Sequence, residues 1–362
     1  MTVTHIAATA EPAADVLMPS QPVPASPVRL PSAQLESWLC QHGRQSSSYF
    51  SLQQGCRHYS LDSLGFVPYI PVPTLAGPVN VVFTDPVAAP NQLPRLLRQF
   101  ERSVPGRPLY VGVGPQMADT LAGLGHRTNI IGTEFAVDLE RFSLRGRAMK
   151  QLRHASNLHR RHAVSVMELP AAGVDQTAVA AISDAWRQGK AVKHRELSLL
   201  TRPPVFADEW GVRKFYAYLD GQLAGYVFFD PYFDNGELVG YCANILRARP
   251  EAHHSGLLDY IILQAMTRFR EEGVPELSLG IAPLHGVRAC SGEQPMVRRL
   301  AQLFYRHGNR LYAFAPLAYH KSRYRGRETP WYLCARDLGA ARIAAVLLRG
   351  TGLLGGNWSP NR

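Results

Sequence analysis

The alternation of apolar and polar positions predicts strands and helices that follow one another along the chain. Ordered structure is expected from residue 32 onward, because 1–31 is rich in Ala, Pro and Val and is predicted to be a disordered tail. In the first half, short apolar runs predict strands, and helical spacing occupies the segments between them. These strands are predicted at 65–70, 78–83, 109–113 and 129–138, and the helices at 32–42, 90–103 and 115–123.

The second half shows the same two patterns in a different order. Two turn signals, Asp220-Gly221 and Asp234-Asn235-Gly236, separate three apolar runs and predict an antiparallel arrangement. A helix precedes these strands, and helices alternate with strands after them. The strands are predicted at 214–219, 223–230, 237–245, 277–281, 311–314 and 331–335, and the helices at 176–188, 256–272, 294–308 and 338–354.

This order of elements resembles that of the acetyltransferase (GNAT) fold. With 362 residues, the chain has room for two such units. The predicted fold class is therefore α/β, with two tandem acetyltransferase-like folds whose sheets are mixed and mainly antiparallel. The predicted domains are an N-terminal GNAT-like domain at 32–140, a basic connecting helix at 141–168, a C-terminal catalytic GNAT-like domain at 169–337, and a helix and tail at 338–362.

Within the basic segment that connects the two predicted domains, residues 141–167 include no acidic residue. The chain has 39 Lys and Arg against 28 Asp and Glu, and this net charge of +11 favours association with polyanions. Within the segment, a helix is predicted over 145–162, and its cations predict phosphate contacts that position a nucleic acid; a solvated helix face is the alternative. The predicted tRNA- or polyanion-binding residues are Arg147, Lys150, Arg153, Arg160 and Arg161.

The motifs that the sequence lacks exclude several other classes of protein. Five widely spaced cysteines without a Cys-x-x-Cys pair argue against a disulfide framework or a zinc site, and they fit a reducing cytoplasm. No apolar run is long enough to span a bilayer, and no secretory signal is predicted. Nucleotide-binding glycine loops and metal-binding spacings are absent, so neither a cofactor nor a metal is predicted. The glycine loop that holds coenzyme A in acetyltransferases is missing from 247–256.

Several motifs over about 45–335 resemble the catalytic domain of lysyl- and alanyl-phosphatidylglycerol synthases. They are Asp85-Pro86, Ile131-Gly132-Thr133-Glu134, Phe142-Ser143-Leu144-Arg145-Gly146-Arg147, Trp186 with Lys190 and Glu196, Leu257-Leu258-Asp259-Tyr260, Leu277-Ser278-Leu279-Gly280-Ile281-Ala282-Pro283-Leu284, and Tyr319-His320-Lys321-Ser322-Arg323-Tyr324 with Trp331-Tyr332. The resemblance implies two GNAT-like folds and transfer of an amino acid from aminoacyl-tRNA to a hydroxyl group, usually of a lipid. This chain is similar to a soluble, stand-alone form, so other acceptors remain open.

The resemblance also implies which residues carry the chemistry. The family's Asp-Leu-Met-Arg signature falls on Asn244-Ile245-Leu246-Arg247, so the arginine is kept and an amide replaces the carboxylate. An amide is not a general base, so Glu196 or Asp259 takes that role, or the reaction needs only positioning. Arg247 and Lys321 are predicted to stabilise the charge on the reacting carbonyl, with Tyr324 sharing this role or donating a proton.

Other residues are predicted to bind the substrates. Glu196 is expected to bind the ammonium group of the amino acid, and the exit of the strand at Gly280 and Pro283 is expected to form the cleft floor. The predicted catalytic residues are Arg247, Lys321, Asn244 and Tyr324, and the predicted substrate-binding residues are Glu196, Asp259, Gly280, Pro283 and Arg323. The alternatives are a solvated basic loop for Lys321 and Arg323, a buried ion pair for Arg247, a surface charge for Glu196, helix-dipole stabilisation for Asp259, and an ordinary strand exit at Gly280.

Three functions remain open on the sequence alone. The favoured one is an aminoacyltransferase that moves an amino acid from aminoacyl-tRNA to a hydroxyl or amine of a phosphatidylglycerol-like lipid or a small molecule. An acyltransferase that uses coenzyme A or an acyl carrier protein is the first alternative, and a non-catalytic tRNA- or membrane-binding module is the second. Peripheral contact with the inner face of the membrane is predicted for the tail helix through Arg342 and Arg349, with packing on the core as the alternative.

Overall fold

The structure of this chain is a computed structural model that describes residues 30–61, 64–188, 202–250, 256–308 and 313–352. Glu196, predicted to bind substrate, lies outside the described residues, as do 1–29 of the predicted tail and 251–255 of the segment compared with the coenzyme A loop.

The first half of the chain contains the predicted elements, with boundaries that differ by at most a few residues. Two short strands, β1 and β4, were not predicted, because four and two residues are too short for a periodic pattern. The elements are α1 (Ser32–His42), β1 (Arg57–Ser60), β2 (Gly65–Val72), β3 (Val79–Val82), β4 (Val87–Ala88), α2 (Leu93–Ser103), β5 (Arg107–Val113), α3 (Pro115–Gly123) and β6 (Arg127–Asp138).

The predicted elements of the basic connecting helix and the second half occur in the predicted order, apart from the strand at 311–314, and the strand β7 and the helix α8 were not predicted. A 3₁₀ turn at Arg147–Met149 leads into the connecting helix α4 (Lys150–Arg161). The remaining elements are β7 (Ser165–Glu168), α5 (Gln176–Gln188), β8 (Arg213–Leu219), β9 (Gln222–Asp234), β10 (Glu237–Ala248), α6 (Leu257–Glu271), β11 (Glu276–Pro283), α7 (Pro295–His307), α8 (Phe314–Ser322), β12 (Arg327–Ala335) and α9 (Ala340–Gly350).

One predicted strand is wrong where the structure describes it. The strand at 311–314 was expected to end at Phe314, but Phe314 is the first residue of α8, and 311–312 lie outside the described residues. A run of four apolar residues does not distinguish a strand from the start of a helix. Pro316 sits in the first turn of α8, where a missing N–H is tolerated, and good helix formers follow it.

The strands form one mixed sheet in the order β1-β2-β3-β5-β12-β6-β11-β10-β9-β8-β7, with β4 paired to β2. Two of the pairs, β3 with β5 and β10 with β11, are parallel. The other strand pairs among the described residues are antiparallel. The predicted class, α/β with a mixed and mainly antiparallel sheet, is therefore confirmed.

The last strand of the sheet crosses between the two halves. β12 belongs to the second half in sequence, yet it lies between β5 and β6 of the first half and pairs antiparallel with both. On its other edge β6 pairs with β11. The sheet is therefore continuous across the predicted domain boundaries, and the division at 140 and 337 stays a prediction.

Helices cover both faces of the sheet. In the second half, α6 packs on one face through Ile261 and Phe269, and α5 packs on the other through Val179 and Ile182. In the first half, α2 and α3 cover one face, and α7 and α9 contribute to the apolar cluster on the other. The sheet strands of both halves are thus largely buried, and functional side chains have to reach gaps in this layered core.

The tail helix α9 packs on the core. Ile343 and Val346 are buried, and Arg342 donates hydrogen bonds to Thr74 Oγ1 at 3.2 Å and to carbonyl oxygens of the same loop. Packing on the core, the alternative reading, is therefore what the structure has for Ile343 and Val346. Arg349 is exposed, and the membrane contact stays a prediction. In the described ranges, none of the helices combines the length and apolar character needed to cross a bilayer.

The position of β12 makes a prediction about truncated chains. A chain that ends at Gly326 lacks the strand between β5 and β6, so it exposes two long strand edges and an apolar core. We expect this chain to aggregate or to lose its cooperative urea transition, measured by circular dichroism. A chain that ends at Asp337 keeps β12 and loses only α9, and we expect it to fold with reduced stability. Equal behaviour of the two chains would contradict this account of the sheet.

Candidate active site

A gap opens in the sheet where the parallel strands β10 and β11 part. Their paired register ends at Cys242 and Ser278. Beyond that point each strand has a bulge in its pairing with its other neighbour, β10 near Asn244 and β11 near Gly280. Bulges bend a strand and redirect its side chains, so the two strands diverge here. We call this place the β10–β11 gap, and define it by Cys242, Asn244, Gly280 and Lys321.

Lys321 on α8 places its ammonium group in the β10–β11 gap. Nζ donates a hydrogen bond to the Ile281 carbonyl oxygen at 2.7 Å. A methyl group added at Gly280 would lie 3.5 Å from Nζ and 3.6 Å from Cys242 Sγ, so the missing side chain of Gly280 provides the space around the amine. Burial lowers the pKa of Lys321 to about 8, while the nearby Cys242 and Glu134 oppose this shift. Near neutral pH this amine can therefore both accept and donate a proton.

The backbone beside Lys321 is held by a carboxyl group that the sequence analysis did not select. Gly280 has a φ of 72°, a left-handed conformation that favours glycine, and its N–H donates to Ser278 Oγ at 3.0 Å. Ser278 Oγ in turn donates to Glu134 Oε1 at 2.6 Å, and Trp331 Nε1 donates to Glu134 Oε2 at 3.1 Å. Glu134 on β6 therefore positions the bulge that faces Lys321. Glu134 ends the motif Ile131-Gly132-Thr133-Glu134, and this was the sequence signal that could have identified it.

Helix α8 is anchored to α6 by a buried carboxylate. Asp259 accepts hydrogen bonds from Tyr324 Oη at 2.8 Å, from Arg323 Nη2 at 2.8 Å, and from His320 Nε2 at 2.9 Å. Burial by itself would raise the pKa of Asp259, but these three partners hold it below its usual value. A carboxylate with this many donors is a poor general base, so Asp259 positions α8 and with it Lys321.

Tyr324 was predicted to share in catalysis, and the structure gives it a different role. Its side chain is buried, and burial beside Asp259 raises the pKa of Tyr324 well above the ordinary tyrosine value. Because its hydroxyl proton is donated to Asp259, Tyr324 is not placed to protonate a substrate. Arg323 reaches the same carboxylate, so these two residues, together with His320, fix the end of α8.

Asn244 belongs to a buried ion cluster on β9 and β10. Its Nδ2 donates to Asp230 Oδ2 at 2.8 Å. Arg202 binds Asp230 at 2.7 Å and 2.9 Å, and it binds Glu209 at 2.7 Å. Lys214 lies 3.4 Å from Glu209. The carboxylate missing at position 244 is thus present nearby as Asp230, which the sequence analysis overlooked because it lies inside an apolar strand.

Arg247 does not share the gap with Lys321. It lies five residues after Cys242, about 16 Å farther along an extended strand. Its guanidinium group donates to Ser183 on α5 and lies 4.2 Å from the ring centre of Trp186. The predicted meeting of Arg247 and Lys321 at one carbonyl is therefore not found, because α5 binds the arginine at only 2% exposure.

The first half contains an equivalent gap that is filled. Its parallel pair, β3 and β5, carries the segment Leu-Tyr-Val-Gly-Val-Gly-Pro at 109–115, which matches Leu-Ser-Leu-Gly-Ile-Ala-Pro at 277–283. Gly112 and Gly280 have nearly the same φ, 73° and 72°. At Gly112, however, the Trp331 ring lies 3.4 Å from an added methyl group, and Gln45 Nε2 donates to the Gly112 carbonyl at 2.8 Å. These side chains occupy the space that Lys321 borders in the second half.

A buried carboxyl group completes this filled gap. Asp85 accepts a hydrogen bond from the Gly114 N–H at 2.9 Å. Burial raises the pKa of Asp85 to about 7, the Gly114 N–H lowers it, and Glu134 adds to the rise. Asp85 is therefore partly protonated near neutral pH.

The start of α6 is covered by α4. Gly256 precedes α6, and a methyl group there would lie 2.8 Å from Ala155 Cβ on α4. His159 of α4 also stacks on Tyr260, with the ring centres 5.5 Å apart. Helix N-termini bind phosphate through free N–H groups, and this helix start is packed against another helix instead.

A basic cleft lies where α4 begins and α8 ends. It has a volume of about 380 Å³, and its cations are Arg147, Lys150, Arg323 and Arg325. In the described part of the chain, Arg147, Lys150 and Arg325 form no ion pair, whereas Arg323 is bound to Asp259. Arg153, by contrast, donates to the carbonyl oxygens of Leu144 and Gly146. We call this feature the basic cleft.

The remaining predicted residues are placed as follows. Arg160 and Arg161 are exposed at the end of α4, beyond the basic cleft. Pro283 is buried at the end of β11 opposite Gly132 of β6, where it ends the strand next to the gap. Over the described ranges, no three His, Cys, Asp or Glu side chains come together as metal ligands would. All five cysteines are free thiols, and burial raises the pKa of Cys242 to about 12.

Comparison with known proteins identifies relatives over most of the chain. The sequence profile of the family described as "Phosphatidylglycerol lysyltransferase, C-terminal" matches residues 37–335. The phosphatidylglycerol lysyltransferase of Bacillus subtilis (strain 168) is 22% identical over 276 residues, which cover 74% of this chain and 31% of that protein. The chain spans about a third of the length of the curated relatives that it matches, 33% and 31%.

Two solved structures share the fold. L-PGS from Bacillus licheniformis superposes with a TM-score of 0.70 at 17% identity, over 92% of this chain and 99% of that one. The C-terminal domain of a protein described as a lysylphosphatidylglycerol synthetase of Agrobacterium fabrum gives a TM-score of 0.69 at 19% identity, over 90% of this chain and 98% of that one. The overall fold of this chain is therefore shared with both structures.

The raised pKa of Asp85 makes a prediction about stability. The folded protein binds this proton more tightly than the unfolded chain, so stability is lost as the pH rises from about 4 to about 7. Asp85→Asn removes this effect, and its amide oxygen can still accept the Gly114 N–H. Between pH 5 and pH 8 we expect the variant to gain roughly 1–3 kcal/mol relative to the unaltered chain, measured by urea unfolding. Asp119→Asn, at an exposed site on α3, is the control and should follow the unaltered chain. Parallel pH profiles for Asp85→Asn and the unaltered chain would refute this.

Proposed function

Because this chain belongs to the family of phosphatidylglycerol lysyltransferase C-terminal domains, we propose that it transfers an aminoacyl group from aminoacyl-tRNA to a hydroxyl group of a lipid. The acceptor is of the phosphatidylglycerol type, and the reaction takes place in the β10–β11 gap. The observation that carries this proposal is the amine of Lys321, which is buried beside the open backbone of Gly280 and has a pKa of about 8.

Lys321 acts as the proton carrier in this mechanism. The acceptor hydroxyl oxygen attacks the ester carbonyl carbon of aminoacyl-tRNA, and its proton passes to the neutral Nζ of Lys321. The ammonium group that forms stabilises the negative charge on the carbonyl oxygen. When the bond to the tRNA ribose oxygen breaks, the proton passes to that oxygen, and the new ester is released. The Ile281 carbonyl orients Nζ, and the missing side chain of Gly280 lets the substrate carbonyl approach.

The basic cleft supports tRNA as the donor. It presents three cations that have no carboxylate partner in the described ranges, next to polar Gln151, Tyr319 and Ser322. Phosphate groups are matched by this combination of charge and hydrogen-bond donors. Arg160 and Arg161 extend the positive surface along α4. The cleft also shares Arg323 with the anchor of α8, so bound phosphate and Lys321 lie at two sides of one helix.

The coenzyme A alternative lacks comparable support. Coenzyme A needs a helix start whose N–H groups are free to bind pyrophosphate. The start of α6 is packed against Ala155 of α4, and the glycine loop is absent from the sequence. Aminoacyl-tRNA does not need this helix start, because its phosphates bind to the basic cleft in this proposal.

The donor is tested with purified protein, a panel of charged tRNAs and a phosphatidylglycerol-containing lipid extract. We propose that an aminoacyl lipid forms and that ribonuclease pretreatment abolishes it, with product detected by mass spectrometry. Acetyl coenzyme A in place of tRNA is the control. Product that survives ribonuclease, or consumption of the thioester, would exclude this donor.

The pKa of Lys321 makes a prediction about the rate. The neutral amine is the active form, so kcat/KM should rise with pH and level off above about 8. Lys321→Arg keeps the positive charge and the bond to the Ile281 carbonyl but does not deprotonate, and we expect a loss of about 10²- to 10⁴-fold. The measurement is the pH profile of initial rates for both proteins, with circular dichroism as the check on folding. A variant that keeps the rise near pH 8 would rule out Lys321 as the proton carrier.

The basic cleft makes a prediction about tRNA affinity. In Arg147→Gln/Lys150→Gln, two phosphate contacts are lost, so the slope of log Kd against log salt concentration should decrease by about two. The matched control is Arg95→Gln/Arg98→Gln, which removes the same charge from the exposed face of α2. Filter binding of tRNA over a salt series measures both. Equal changes in the two variants would show that only net charge matters.

A further inference from the structure

Helix α7 exposes an apolar strip that none of the described segments, 30–61, 64–188, 202–250, 256–308 and 313–352, covers. Met296 and Leu303 are each 53% exposed, and Leu300 between them is partly exposed. Their spacing of four and three residues places them on one face of the helix. The adjacent face, with Val297 and Ala301 about 100° around the helix, packs into the molecule. A contiguous exposed apolar patch of this kind marks an interaction surface.

Cations border this apolar strip. Arg299 and Arg306 are exposed at helical spacing along one flank, and in the described part of the chain neither forms an ion pair. The helix itself, Pro-Met-Val-Arg-Arg-Leu-Ala-Gln-Leu-Phe-Tyr-Arg-His, has no acidic residue, and the nearby carboxylate of Glu293 is bound by Arg298 at 2.9 Å. The exposed face therefore combines apolar side chains with unneutralised positive charge.

We propose that this face of α7 docks on the surface of an anionic bilayer. Helices that lie in a membrane interface have this composition, with apolar residues inserted among the acyl chains and arginines at the headgroups. A second copy of this chain fits less well, because a symmetric contact would bring Arg299 and Arg306 of both copies together. The strip is short, so binding depends on anionic lipid as well as on apolar contact.

The position of α7 in the chain links this surface to the β10–β11 gap. α7 follows β11, which contains Gly280, and precedes α8, which contains Lys321. His285, just after β11, is also bonded to Tyr305 of α7 at 3.1 Å. Docking through α7 would hold both gap elements at the bilayer surface, where a lipid hydroxyl is presented. This link rests on the proposed lipid acceptor, whereas the docking surface itself is tested without any reaction.

The test is sedimentation of the full chain with vesicles, in the absence of tRNA. We expect binding to vesicles of phosphatidylcholine mixed with phosphatidylglycerol, and little binding to phosphatidylcholine alone. Met296→Ser/Leu303→Ser should lower the partition coefficient by about tenfold or more, because two inserted side chains are lost. Met167→Ser/Leu219→Ser, which alters exposed apolar residues on β7 and β8, is the matched control and should bind like the unaltered chain.

The charge contribution is tested in the same assay. Arg299→Gln/Arg306→Gln should lower binding to the mixed vesicles by about tenfold, since each cation contributes near an anionic surface. The control Arg95→Gln/Arg98→Gln should change it little. Unaltered binding by the α7 variants, or an equal loss in the controls, would overturn the proposal. So would a dimer in light scattering that becomes a monomer in Met296→Ser/Leu303→Ser, because the strip would then be a protein interface.

A further measurement separates this inference from the proposed function. Transfer to a dispersed short-chain lipid needs no bilayer, so Met296→Ser/Leu303→Ser should retain it while losing transfer to vesicles. Absence of transfer in every protein, with vesicle binding intact, would reject the proposed reaction and leave the docking surface standing.

Discussion

The long strand β6 is the constraint on which the candidate site depends. It pairs with β12 on one edge and with β11 on the other, so it joins the two halves into one sheet. Glu134 on this strand accepts hydrogen bonds from Trp331 of β12 and from Ser278 of β11. Through Ser278 it fixes the left-handed backbone at Gly280, and this backbone gives Lys321 its space. A change in the pairing of β6 would therefore move Glu134 and so alter the surroundings of the Lys321 amine.

The same strand explains why two similar gaps contain different side chains. Both parallel pairs carry a glycine with positive φ at the point where the strands part. In the first half, the Trp331 ring lies against Gly112 while its N–H is bound to Glu134. In the second half, Lys321 Nζ and Cys242 Sγ lie within 4 Å of the equivalent methyl position, and no aromatic ring of the described residues does. One tryptophan thus closes the first gap and, through Glu134, supports the second.

Most of the fold was predictable from the sequence, because long periodic segments and turn pairs such as Asp220-Gly221 determine their own structure. The position of β12 in the sheet was not predictable, since strand order depends on pairing partners that are distant in sequence. Lys321 and Gly280 were identified through motifs, and the structure brings them together. Arg247 and Tyr324 belong to the same motifs, but their side chains are bound by α5 and Asp259. A motif gives a residue's place on a strand or helix, and packing decides whether its side chain reaches the substrate.

The amide at position 244 lowers the negative charge of the gap compared with a carboxylate at the same position. Asp230 and Glu209 are matched by Arg202 and Lys214, so this buried cluster is balanced while Asn244 donates to Asp230. A carboxylate at 244 would lie within hydrogen-bonding distance of Asp230, and the pair would have to share a proton or bind a cation. With asparagine there, the cluster needs neither. Lys321 is then the group in the gap that takes up and releases a proton. This fits the proposed reaction, which moves one proton between two hydroxyl oxygens.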